Sequence, residues 1–132
     1  MEGLIRVSSR FGPRETMDRL EAEVRAVGLD VFARIDHTAG AAKVGLELTP
    51  IELIIFGNAR SGTPLMQVDP TIGIDLPLKA LVWQDAAGAT WIAYHEPAWL
   101  AQRHGLEGKV DPIVGRMKVT LDTVSRKAAG EQ

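Results

Sequence analysis

Two strand-like segments, Leu78–Gln84 and Thr90–Tyr94, meet across the turn Asp85-Ala86-Ala87-Gly88. A parallel pair needs a crossover of about a dozen residues or more, so this junction permits only an antiparallel hairpin. The rest of the chain must fold around that constraint. Residues 4–9 alternate, with Ile5 and Val7 on one side and Leu4, Arg6 and Ser8 on the other, which reads as a strand. Val31 to His37 alternates too, placing Val31, Ala33, Ile35 and His37 on one face and Phe32, Arg34 and Asp36 on the other. Leu53-Ile54-Ile55-Phe56 is a continuous apolar run, expected as a strand buried on both faces in the middle of the sheet.

Helical periodicity fills the intervals. Gly12-Pro13 opens a helix whose stripe is Met17, Leu20, Val24 and Val27, and Gly28 closes it. Thr38–Ala42 reads as a loop, and so does Gly57–Gly62. Thr63-Pro64 is expected as an N-cap and first helical residue, starting a short helix through Leu65 and Met66 that Pro70 ends. Pro97–His104 and a last helix opening at Asp111-Pro112, striped by Ile113, Met117, Leu121 and Val124, complete the set. The fold class is α+β: an antiparallel sheet of about five strands in β-α-β-β-β-β-α order, with the helices packed on one face.

Composition excludes several functions. The chain has 132 residues, enough for one domain, with an ordered core expected over 3–127 and a loose tail at 128–132. Without cysteine there is no thiolate metal site, disulfide or cysteine nucleophile. A net charge of -2 argues against a charge-driven nucleic-acid binder, and no apolar run approaches the roughly 20 residues of a membrane span. The segment MEGLIRVSSR lacks a secretory apolar stretch, so a cytoplasmic protein is expected.

The ordered pieces VFARIDH, LELTPIELIIFGN, GTPLMQ, IDLPLKALVW and YHEPAWLAQRHGL, running from Phe32 to Leu106, resemble domain-of-unknown-function family 302. The resemblance implies a small α+β domain with a topology like that of the TATA-box-binding-protein group, and it assigns no activity. One departure is Ala59, where the family commonly has proline after the Phe-Gly-Asn triplet.

The most suggestive segment for chemistry is Gly57-Asn58-Ala59-Arg60-Ser61-Gly62-Thr63-Pro64. Its two glycines are spaced as in a phosphate-binding loop, but Thr63 stands where the lysine belongs and Pro64 where the magnesium-binding hydroxyl belongs. Nucleotide hydrolysis is therefore not expected. A strand-to-helix turn is the plain reading; free backbone N–H groups that attract an anion, helped by Arg60 or Lys43, are the functional one. His95-Glu96 begins like a zinc-protease motif, but Trp99 occupies the second histidine position. His37 is either a satisfied histidine at the end of a core face or a polar group at a pocket mouth. A metal set of His37, His95 and an acid such as Asp69 rests only on two histidines distant in sequence, and no metal or cofactor is expected. Trp83 and Trp91 lie on the hairpin as candidate cross-strand neighbours, without the interleaved basic residues that base stacking needs.

The first expectation is thus a non-enzymatic, homodimeric domain holding a small or anionic ligand at the 57–64 loop. Its ligand-binding residues would be His37, Asn58, Arg60, Gly62, Thr63, Lys79 and Tyr94. The alternatives are an enzyme of unknown reaction using His37 as acid or base, and an interaction module working through a sheet edge or tryptophan face. Neither nucleic acid nor membrane is an expected partner.

Overall fold

A computed structural model describes residues 1–131. Five strands form one antiparallel sheet: β1 (Leu4–Ser9), β2 (Asp30–Asp36), β3 (Ile51–Gly57), β4 (Leu78–Gln84) and β5 (Thr90–His95). Their spatial order is β1-β5-β4-β3-β2, and every neighbouring pair is antiparallel. The α+β class, the antiparallel sheet and the hairpin of β4 and β5 are as the sequence predicts. Helices α1 (Pro13–Ala26) and α5 (Asp111–Ala128) pack together over one face. Between them and the sheet lies a core with Met17, Leu20, Val24, Ile54, Phe56, Ile92, Leu121 and Val124 at its centre.

The α1 stripe is buried at Met17, Leu20 and Val24, but Val27 is 49% exposed. It sits past the last helical turn as the C-cap, where the 3.6-residue stripe no longer points at the sheet. Gly28, at φ 83°, then takes the left-handed conformation that turns the chain into β2.

β2 departs from simple alternation. Its register against β3 shifts between Val31 and Ala33, a bulge at Phe32. One extra residue reverses the faces that follow. Val31 packs against the core, but so does the side of the strand that carries Arg34, while Ala33 and Ile35 turn to the other face. Arg34 thereby reaches under α1, donating to both carboxylate oxygens of Glu52 (2.9 and 2.8 Å), to Asp18 (3.0 Å) and to Glu21 (3.0 Å). Bulge and ion cluster explain each other: without the shift the guanidinium would face away from all three acids.

Two expected loops are helical. Residues His37–Lys43 form α2, because the Asp36 carboxylate accepts from the Ala39 N–H and three alanines follow. His37 is accordingly the first residue of a helix and not the end of a strand. Helix α3 spans Ala59–Val68, starting four residues before the expected Thr63 cap. Asn58 is the cap, its side-chain oxygen accepting from the Ser61 N–H at 2.8 Å. Pro64 falls inside the helix, which forgoes one backbone hydrogen bond there. A 3-10 turn (Pro70–Ile74) and α4 (Pro97–Arg103) complete the described chain.

The 53–56 run is buried on one side only. Ile54 and Phe56 are sealed under the helices, whereas Leu53 and Ile55 are half-buried on a sheet face that no layer of helices covers. The tail expected to be loose is tied down as far as it is described. Ala128 and Ala129 are fully buried, the Arg10 N–H donates to the Ala129 carbonyl, and Arg19 donates to the carbonyls of Lys127 and Ala128. Residue 132 lies outside the described residues.

Candidate functional site

The end of β3 that carries Gly57 opens into a cavity of about 340 Å³. Its floor is the strand end at Gly57 and Leu78. One wall is the inner side of α3, with Asn58, Ser61, Gly62 and Met66. The opposite wall is α5, with Arg116, Met117 and Thr120. Leu29 and the bulge residue Phe32 close a third side, and Gly73, Leu76 and Pro77 the fourth.

Local sequence places each of these. Asn58 caps α3, which fixes its own side chain at the mouth of the helix. Gly62 faces the cavity from α3: a Cβ there would lie 3.6 Å from Leu76 and 3.8 Å from Met66, ordinary contact distances. Arg116 and Thr120 are one turn apart on α5 and flank the buried Met117. The bulge that turns Arg34 inward also directs Phe32 out of the ladder, and Phe32 is 55% exposed beside the cavity.

The fourth wall is pinned from outside. Asp75 Oδ2 lies 2.5 Å from His104 Nε2 and Thr71 Oγ1 lies 2.9 Å from His104 Nδ1. Asp69 accepts from both the backbone and the hydroxyl of Thr71, contacts that hold its carboxyl below the usual carboxylate range. The 3-10 turn is thus fastened to α4 at both ends.

Polar groups of the cavity are few and mostly free. Arg116 makes no ion pair with any described residue. The arrangement is an apolar slot with one cation, two hydroxyls and an amide at its edge. It suits holding a ligand by its apolar body and orienting it by one polar end. A nucleophile paired with a base is not among the groups lining it.

Of the seven residues expected to form one site, the structure brings Asn58 and Gly62 to the cavity wall. Arg60 and Thr63 belong to the same helix but are exposed and do not line it. Lys79 lies on the open sheet face, its ammonium donating to the Pro77 carbonyl at 3.4 Å. Tyr94 is buried under α5 with its hydroxyl against Asp122; burial, then the neighbouring carboxylate, push the phenol above its usual value. His37 is exposed at the other end of β2, roughly 20 Å from Gly57 by strand rise, and so is not at the cavity mouth. His95 stacks on Trp99 and does not approach His37. No three potential metal ligands cluster among the described residues.

Leu29, Phe32, Gly73, Arg116, Met117 and Thr120 are among the lining residues that the sequence did not assign to a site. The only available signal was the Arg116/Thr120 pair on either side of Met117, which marks a flank of the buried stripe and not a cavity.

Residues 5–124 match the family described as Domain of unknown function DUF302. The chain belongs to the DUF302 family. A crystal structure of an uncharacterized conserved DUF302 protein from Bacillus stearothermophilus superimposes with a TM-score of 0.85 over 98% of this chain and 99% of that one, at 22% identity. That likeness supports the DUF302 fold. The chain is also 48% identical, over 98% of its length, to proteins named Fluoride-specific ion channel FluC 1 in Brucella suis biovar 1 and FluC 2 in Brucella melitensis biotype 1. It spans about half the length of these curated relatives, 51% and 48%. Among the described residues of this DUF302 chain, no helix is long and apolar enough to cross a membrane.

Proposed function

We propose that this DUF302 domain binds, without transforming, a small ligand with an apolar body and an anionic or hydrogen-bonding end. The ligand sits in the cavity between α3 and α5. The observation that carries the reading is the unpaired Arg116 at the edge of a slot walled by Leu29, Met66, Leu76 and Met117. An apolar ligand body gains by leaving water, and a guanidinium without an internal carboxylate is free to take an anionic end in a two-point contact. The volume is at the lower end of small-molecule sites, roughly 300–1,000 Å³, and so favours a short ligand.

The names of the Brucella relatives support a second reading, in which the domain works beside a fluoride-conducting partner and senses the same anion. The wall chemistry favours the first, because a bare fluoride needs N–H donors and gains nothing from aliphatic walls.

A thermal-unfolding series with octanoate, sodium fluoride and sodium chloride separates the two. Ligand at a hundred times its Kd adds about 2.7 kcal/mol, a rise of roughly 10 °C in a domain of this size. A rise with octanoate that Arg116→Gln reduces supports the first reading. A rise with fluoride and not chloride supports the second. Identical unfolding in all three salts refutes both.

A further inference from the structure

We propose that the open face of the sheet is the contact surface for a second copy of this chain. This stands independently of the cavity, which opens at the strand ends on the helical side.

The helices cover the face that carries Val7, Ile92, Val82 and Ile54. The pairing registers put Leu53, Leu81 and Ala93 side by side at the middle of the other face, with Ile55 and Ile35 beside them. Leu53, Leu81 and Ala93 carry no charge; Arg6 ends their row on β1, and Lys79 pairs with Ile55 one step along β4. Trp83 and Trp91 stack across β4 and β5 at 6.3 Å, and Arg6 lies over the Trp91 ring at 5.0 Å. The Trp91 indole N–H donates to Asp85 at 2.9 Å. Charged groups therefore sit at the margins: Arg6 on the edge strand β1, Asp85 beyond the end of β4, and Lys79 at its start. An apolar centre with an aromatic and arginine margin is the composition of a specific protein interface.

Size and charge select the occupant. Five strands about 4.8 Å apart, each rising about 3.3 Å per residue over six or seven residues, span roughly 500 Å² in projection. A footprint of that size lies between the roughly 400 Å² per partner of chance packing and the about 800 Å² per partner of a standard stable association. Two identical copies facing each other across a two-fold axis place uncharged centre on uncharged centre, so no like charges meet there. The shallow point at Ala93, 3% exposed, lies next to the taller Leu81. An axis near this row seats Leu81 of each copy over Ala93 of the other. Two such sheets would pack about 10 Å apart, with the mean strand directions of the two copies about 30° apart.

Sedimentation equilibrium over a wide concentration range tests this. The wild-type chain is expected to give twice its 14.3 kDa. Leu81→Arg and Ile55→Glu are each expected to weaken self-association at least tenfold with an unchanged far-ultraviolet spectrum. Val119→Arg, on the 66% exposed outer side of α5, is expected to leave it unchanged. Should a face variant fail to fold, the Trp99→Phe protein leaves Trp83 and Trp91 as reporters, and its emission should move to the red on dilution. A wild-type mass of 14.3 kDa at the highest concentration, association unaffected by both face variants, or emission that ignores dilution would overturn the proposal.

Discussion

Replacing Arg34 by methionine probes the link between the β2 bulge and the packing of α1. The guanidinium is three-quarters shielded from water and so is its main partner Glu52, with side-chain exposures of 25% and 22%. A hydrogen bond to a charged group contributes about 1.5–3 kcal/mol when well shielded. Solvent at a quarter exposure reduces that, so the two bonds to Glu52 together are worth about 2 kcal/mol. The contact with Asp18, itself 57% exposed, adds at most about 0.5 kcal/mol. Glu52 is left without its counter-ion, while Glu21 keeps only its exposed pair with Arg25, and this brings the expected loss to about 2–3 kcal/mol, or roughly 6–12 °C in Tm.

Urea unfolding followed by circular dichroism at pH 7 measures this loss, with Arg25→Met as the comparison. Arg25 makes one exposed i,i+4 pair with Glu21, and its loss should cost less than about 0.5 kcal/mol. The pH dependence gives a second readout. Hydrogen bonding, first to Arg34 and then to Arg25, holds the Glu21 carboxyl below its ordinary 4.5. The unfolded chain then binds the Glu21 proton more readily than the folded one, so this contribution is complete above pH 4.5 and is lost as pH falls through the lower folded value. Arg34→Met should flatten that acid limb. A variant within about 0.5 kcal/mol of wild type at pH 7, with the acid limb unchanged, would refute the claim that the bulge buries a structural ion cluster.

Two further substitutions address the ends of the sheet. Gly3 adopts φ 76°, and a Cβ there would lie 2.2 Å from the Trp99 ring, so Gly3→Ala should lower stability by about 2 kcal/mol or more and alter the Trp99 fluorescence; an unchanged Tm contradicts this packing. Gly62 lies within α3, where a methyl group meets only ordinary van der Waals contacts, so Gly62→Ala should raise stability by about 0.5–1 kcal/mol while narrowing the cavity; a loss of stability contradicts the helix assignment.

The architecture was legible where a local pattern had one physical solution. The short connection at residues 85–88 left only an antiparallel hairpin, and the spacing of Met17, Leu20 and Val24 left only one buried helix face. It was illegible where one residue altered the phase. The bulge at Phe32 has no compositional mark, yet it moves Arg34 from the expected outer face to the core side and Phe32 to the cavity rim. At α3 the capping signal misplaced the helix start. Thr63 followed by Pro64 pointed to the later start; the tertiary fold accepts an interior proline and takes its cap from Asn58. The candidate site suffered most, because it is assembled from α3, α5 and the turn before β2, whose convergence depends on strand order and not on neighbouring sequence.

Amide chemical-shift mapping during titration with octanoate tests the cavity most directly. Saturable shifts concentrated at Gly57, Asn58, Ser61, Gly62, Met117 and Thr120 are expected, with marked weakening in Arg116→Gln. Shifts scattered over the open sheet face, or the same response with and without the Arg116 guanidinium, would contradict binding in the cavity.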